Sequence, residues 1–324
     1  MYALAYRIGE RGSKDSILAL GSRLLALKPK PENLELGANS LYPDTVPELP
    51  EVETIVSGLN KRVSGDTIDS VWIGSKLQPL KSPAVLIAAT LEGRRIVRVH
   101  RAGKHIVIDL ESSSGKEKFS CRRAKRNAQW IVHLGMTGRI VVTDPAAEFE
   151  KHTHLIAKLG SGRELRFIDP RMFGKLSVHL EGFDPGGVEP LEVGEKQFIA
   201  LFHGRKTPIK SALLNQKLLR GVGNIYADEA LFRAGIRPRR RAATITVMQF
   251  RKLHACVQEV LREAIALGGS SISDYVDADG EAGSFQLQHR VYGREREPCL
   301  VCETPIKRVV LAGRSSHYCP KCQK

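Results

Sequence analysis

The chain has 324 residues, a length that suggests about two domains, and its 42% hydrophobic content is enough to build an ordinary core. Lys and Arg outnumber Asp and Glu by 50 to 35, giving a formal charge of +15 and a pI near 9.7, which favours a polyanionic partner, nucleic acid before membrane. No run of about 18 apolar residues appears, so a membrane-spanning helix is not expected, and Arg7, Glu10, Arg11, Lys14 and Asp15 ahead of Ile17–Leu20 are the wrong layout for a secretory signal; a cytoplasmic protein is expected.

Residues 1–45 carry Lys28-Pro29-Lys30-Pro31 and no constellation that suggests chemistry, and read as an appendage. Val46-Pro47-Glu48-Leu49-Pro50-Glu51 then leads into Val52, Ile55, Val56 and Leu59 at helical spacing, a loop entering an amphipathic helix. Early Pro and Glu suit any helix start. Freed as an N-terminus, however, Pro47 is a secondary amine able to attack a carbonyl-like carbon, with Glu48 beside it to move protons. In a continuous chain its nitrogen is a tertiary amide whose lone pair is delocalised and unavailable.

From Thr67 to Leu110, β-branched runs predict strands around Ile68–Ile73, Ile96–Val99 and Ile106–Ile108, with a short helix near Ala84–Leu91. Lys104 sits on the Arg101-Ala102-Gly103-Lys104 turn. A polar, basic insertion at 112–127 reads as a flexible loop. Strands resume over Gln129–Val142, His154–Leu159 and Glu164–Ile168, and the turns Leu134–Gly138 and Asp169–Gly174 carry the large side chains Met136, Arg171 and Phe173. Many short strands with Gly and Pro turns indicate an antiparallel sandwich or barrel.

Residues 181–195, rich in Gly and Pro, read as a linker, after which the period becomes helical around Phe198–Phe202, Ile209–Leu214, Ile225–Phe232 and Leu253–Ile265. In Gly221-Val222-Gly223-Asn224, two glycines let backbone N–H groups approach a phosphate, and Asn224 is placed to cap the next helix. Gly268–Phe285 reads as a linker or a loop that closes over a ligand. Cys299-x2-Cys302 and Cys319-x2-Cys322 are spaced for one tetrahedral zinc in a hairpin, structural because four thiolates leave no open position; Cys121 and Cys256 read as unpaired thiols.

The order of these motifs, over residues 46–324, resembles the formamidopyrimidine-DNA glycosylase family. The resemblance implies an α+β chain of two domains: an N-terminal antiparallel β-sandwich flanked by helices at 46–180, a linker at 181–195, a helix–two-turns–helix domain at 196–290 and a zinc ribbon at 291–324. It implies excision of oxidised purines from duplex DNA, then β,δ-elimination at the abasic site, by a monomer that uses no metal in the reaction. Pro47 would attack the sugar C1′, Glu48 would shuttle protons, Lys104 matches the lysine of β-elimination and Arg314 the hairpin arginine of δ-elimination. As too weak an acid to give up a proton, Arg314 is better described as a phosphate clamp. Met136, Arg171 and Phe173 match residues that fill the gap left by a flipped base, His152, Arg205, Lys206, Lys210 and Asn224 match phosphate contacts, and the 269–285 loop would cover the extruded base.

Two departures stand out. The 112–127 insertion is longer than the family's turn, and its deletion is expected to leave excision intact. The 45-residue extension blocks Pro47; Val46 suggests that translation begins there at a GTG codon and that the initiator Met is removed. Two alternatives stay open: an endonuclease VIII-like glycosylase for oxidised pyrimidines, and a non-catalytic DNA-damage binder if Pro47 stays blocked.

Overall fold

The computed structural model describes residues 46–112, 127–270 and 283–324; the appendage, most of the 112–127 insertion and the centre of the 269–285 loop lie outside them. The first helix, α1 (Leu49–Val63), opens with Pro50 in its first turn and closes with Lys61 and Arg62, a distribution that suits the helix dipole. Its apolar stripe serves two cores. Leu49 is fully buried in a helical core, whereas Val52, Ile55, Val56, Leu59 and Val63 are buried in the core of a sheet. Burying a side chain such as Leu49 contributes about 2 kcal/mol, so the start of α1 is fastened to the helical lobe while its body belongs to the other.

Eight antiparallel strands follow: β1 (Thr67–Ile73), β2 (Arg94–Ala102), β3 (His105–Ser112), β4 (Ala128–His133), β5 (Arg139–Thr143), β6 (Thr153–Leu159), β7 (Glu164–Ile168) and β8 (Lys175–His179), with α2 (Ala84–Leu91) between the first two. Their order is β5-β7-β6-β1-β2-β3-β4-β8. The central β1–β2 seam holds only two residue pairs, Thr67 with Arg95 and Ile68 with Arg94, so the ladder divides into two four-stranded halves. Leu155, Leu165 and Phe167 from one half and Ile106, Trp130 and Leu176 from the other lie in a single core, the packing of a β-sandwich. Strand β8 escapes the sequence pattern. Only Leu176 and Val178 point inward along it, two apolar positions between a Gly-Pro turn and a Gly-Pro linker.

The helical lobe comprises α3 (Glu195–Phe202), α4 (Ile209–Leu213), α5 (Asn224–Ala234) and α6 (Val247–Ala266). A capping box, Thr246 with Gln249, starts α6, and Gly235 in the left-handed region ends α5. Helix α5 carries a third core as well: its Phe232 packs with Val291, Ile306, Cys299 and Cys319 under a two-stranded hairpin, β9 (Lys307–Leu311) and β10 (Arg314–Tyr318). Asp228 accepts the His317 N–H at 2.8 Å, and Glu229 accepts those of Val291 and Tyr292 at 2.9 and 2.8 Å. One helix therefore anchors the hairpin and, at its N-terminus, meets α1. No helix among the described residues is long and apolar enough to cross a membrane.

Candidate active site

The site begins with the glycines of the α4–α5 hairpin. A Cβ on Gly223 would lie 2.1 Å from Glu48 Cδ, and one on Gly221, whose φ is +90°, would lie 2.8 Å from Leu49 Cδ1. The glycines admit the acid and leucine that precede and open α1, rather than only a ligand's phosphate. Leu49 N–H donates to Gly221 O at 3.0 Å, and Ile225 N–H donates to Glu48 Oε1 at 3.1 Å. This corrects the expectation that Asn224 caps α5. The N-cap residue is Gly223, and the carboxylate at the helix mouth comes from Glu48, 177 residues away.

Glu48 is buried, and its Oε2 has no hydrogen-bond partner among the described residues. Burial pushes its carboxyl up to about 7, opposed by the nearby Lys104 charge and reinforced by Glu51. Burial lowers Lys104 in turn, with Glu48 resisting the change and Arg314 adding to it. Glu51 is held as firmly: it accepts the Glu48 N–H at 2.9 Å, the Ser270 N–H at 2.8 Å and the Tyr226 hydroxyl.

A cavity of about 420 Å3 gathers Glu48, Lys104, Asn224 and Arg314 with Val46, His133 and Tyr292. Half-buried Pro47 lies between two of its lining residues, Val46 and Glu48. The sequence assigns no role to His133, the last residue of β4. Its Nδ1 accepts the Gly135 N–H at 3.1 Å, leaving Nε2 as the donor, and burial with His105 alongside drives its pKa down to about 3, so it is a neutral imidazole. Asn224 donates to Ser315 Oγ at 3.3 Å, which ties the hairpin bearing Arg314 to the mouth of α5.

Lys210 is placed differently from the expected phosphate contact. It is 1% exposed, its Nζ lies 2.8 Å from Asp228 Oδ1, and it donates to Ser315 O at 2.7 Å. A buried, paired ammonium braces the hairpin from within and does not face a polyanion; the residue reads as a surface cation only while Asp228 is unknown. Arg205 and Lys206 are exposed, as expected for residues open to a partner.

The expected gap-filling residues form a second group. Asp169, fully buried, accepts the Thr137 hydroxyl at 2.6 Å and the Gly174 and Arg171 N–H groups at 2.7 and 3.2 Å, so one carboxylate organises two turns. A Cβ on Gly135 would meet Gly174 N and Phe173 C at 2.6 Å, which is why these turns can press together. They display half-buried Met136 beside Phe173, 49% exposed, with the Arg171 guanidinium 4.9 Å from its ring centre. His152 is half-buried and its carbonyl accepts the Asp169 N–H at 3.0 Å.

The four cysteines of the hairpin region place their Sγ atoms within 4.8 Å of one another, with Cys302 to Cys319 and to Cys322 at 3.4 Å and Cys299 to Cys322 at 3.9 Å. A zinc tetrahedron with bonds of ~2.3 Å has edges of ~3.8 Å, so the cluster fits the ion. Cys299, Cys302, Cys319 and Cys322 hold one structural zinc.

A sandwich and a helical lobe sharing a buried acid, faced by a zinc hairpin across a basic cavity, define a two-lobed protein of the helix–two-turns–helix class. Family models agree along the chain: the formamidopyrimidine-DNA glycosylase N-terminal domain matches residues 46–176, its H2TH domain residues 187–276, and the zinc finger found in FPG and IleRS residues 296–324. The chain is 45% identical over 283 residues to the formamidopyrimidine-DNA glycosylase of Solibacter usitatus, covering 86% of this chain and all of the relative. The MutM (FPG) protein from Thermus thermophilus superposes with a TM-score of 0.73 at 40% identity, over 86% of this chain and 98% of that one. Wild-type Lactococcus lactis Fpg in complex with N7-benzyl-Fapy-dG containing DNA gives a TM-score of 0.74 at 31% identity, over 86% and 100%. The chain belongs to the formamidopyrimidine-DNA glycosylase family.

Proposed function

We propose that this chain is a base-excision glycosylase and abasic-site lyase that removes oxidised purines from duplex DNA, with Pro47 as nucleophile. The observation that carries the reading is Glu48, a buried acid with a pKa of about 7, next in sequence to Pro47 and in one cavity with Lys104 and Arg314. Near neutral pH both its forms are well populated, which suits a group that must give and retake a proton.

The chemistry runs on the chain's own residues. The Pro47 nitrogen, as a free secondary amine, attacks C1′ of an extruded nucleotide; the glycosidic bond breaks, and the base departs carrying the equivalent of the proton that the amine gives up. Glu48 protonates the sugar ring oxygen as the ring opens, leaving an iminium on Pro47. That adduct is cationic at any pH and withdraws electrons while a C2′ proton is lost and the 3′ phosphate leaves, followed by the 5′ phosphate. Lys104, its pKa lowered by burial, is suited to take up protons in these eliminations, and Arg314 faces the departing phosphate as a cation that stays charged. Met136, Arg171 and Phe173 fill the gap in the duplex, and His152, Arg205, Lys206 and Asn224 bear on its backbone. We assign the protein to the cytoplasm as a monomer.

Val46 lines the cavity and its peptide bond blocks the Pro47 lone pair, so activity requires a chain that starts at Pro47. Excision from duplexes carrying 8-oxoguanine or thymine glycol tests the substrate: faster release of 8-oxoguanine is expected, and faster release of thymine glycol would overturn the purine assignment.

A further inference from the structure

Beyond the cavity, the helical lobe carries a run of arginines that the site does not use: Arg237, Arg239, Arg240 and Arg241. The backbone fixes where this run lies. Ile209 N–H donates to Arg240 O at 2.8 Å, Ala242 N–H to Thr207 O at 3.0 Å and Ala243 N–H to Arg205 O at 2.7 Å, and Pro208 bridges Arg241 in antiparallel fashion. Segments 205–209 and 238–243 therefore form one short paired ledge. Two of its arginines are occupied: Arg237 donates to Gln323 O and Pro320 O at 2.8 Å each, and Arg240 clasps Thr244 O at 2.6 Å. Arg239 and Arg241 are exposed and have no ion pair or side-chain hydrogen bond among the described residues, and exposed Lys206 is in the same position.

We propose that Arg239 and Arg241 extend the backbone contacts already assigned to Arg205 and Lys206 into a phosphate-binding ledge for the duplex flanking the damaged nucleotide, outside the cavity itself. The proposal rests on the function above. Two features favour a nucleic-acid backbone over an idle solvated face. The cations are mounted on a paired backbone, so little backbone freedom is lost on binding, and the free ones include two guanidinium groups, whose forked donors match phosphate oxygens. The ledge is also continuous with the site, because it runs directly into Ile209 and Lys210, and Lys210 supports the backbone next to Arg314.

The test compares the chain starting at Pro47 with its Arg239→Ala/Arg241→Ala form. Binding to a duplex containing a tetrahydrofuran abasic analogue is measured across a salt series, on a long duplex and on one trimmed to the few pairs around the analogue. Each phosphate contact contributes about 0.9 to the slope of log affinity against log salt, so the double variant should flatten the long-duplex slope by about 1 to 2. The trimmed duplex should be bound and an 8-oxoguanine counterpart cleaved as before, which also establishes that the variant folds; Arg239→Gln/Arg241→Gln is the second variant should alanine disturb the ledge. An unchanged long-duplex slope, or an equal loss on both duplexes, overturns the ledge while leaving the glycosylase reading intact. Failure of the parent chain to bind or cleave either duplex overturns the functional reading itself, and the ledge with it.

Discussion

Two buried carboxylates sit at glycine turns, Asp169 within the sandwich and Glu48 where the start of α1 meets α5, and they are wired in opposite ways. Asp169 spends both oxygens on the protein, taking the Thr137 hydroxyl and Arg171 N–H on one and the Gly174 N–H on the other. Glu48 spends Oε1 on the Ile225 N–H and keeps Oε2 without a partner among the described residues, beside Lys104 in the cavity. The first carboxylate fixes geometry; the second retains a lone pair for a substrate and tolerates either protonation state. Similar glycine-rich turns thus yield a display of half-buried Met136 with exposed Arg171 and Phe173 in one case and a socket for an acid in the other.

Replacing each acid by its amide should expose the difference most strongly. Glu48→Gln keeps an oxygen for the Ile225 N–H but loses the transferable proton, so base release should fall by about 10²- to 10⁴-fold in single-turnover assays with little change in thermal stability. Asp169→Asn should do the reverse, costing about 1–3 kcal/mol of stability through unsatisfied turn N–H groups, with a smaller loss of excision. If the two variants behaved alike, the contrast would collapse.

Gly223→Ala should come next in size. The added methyl would occupy the Glu48 carboxyl position, so the acid must move, and excision should drop by about 10²-fold, in line with the cost of a catalytic group displaced by ~1 Å. The measurement is base release from 8-oxoguanine duplex, and near-normal rates would mean that Glu48 need not dock on α5.

The smallest expected effect is a shift of pH dependence. Burial raises the Glu48 pKa and Lys104 is the largest influence opposing it, so Lys104→Met removes that opposing charge and raises the pKa above about 7. Glu48 then stays protonated to higher pH, and the limb of the base-release profile that reports its ionisation should move toward alkaline pH. A limb that moved toward acid, or stayed in place, would contradict the coupling.

Much of the architecture could be read from period and punctuation. The stripe of α1, the β-branched strands and the paired cysteines are local signals, and local chemistry places them. What escaped depends on partners distant in sequence. Gly223 reads as a phosphate turn until Glu48 is found lying against it, and Lys210 reads as a surface cation until Asp228 buries it. His133 has no assigned role until the fold brings it to Lys104, and β8 has too few inward residues to announce itself. Residue types were legible, whereas the burial that sets their chemistry was not.

The central claim is that a free Pro47 amine bonds to the sugar. Borohydride reduction during reaction with lesion-containing duplex should trap a covalent protein–DNA adduct from a chain beginning at Pro47 and none from the same chain with the Val46–Pro47 peptide bond intact. Absence of an adduct from the Pro47-start chain, or equal trapping with residues 1–46 still attached, would contradict it.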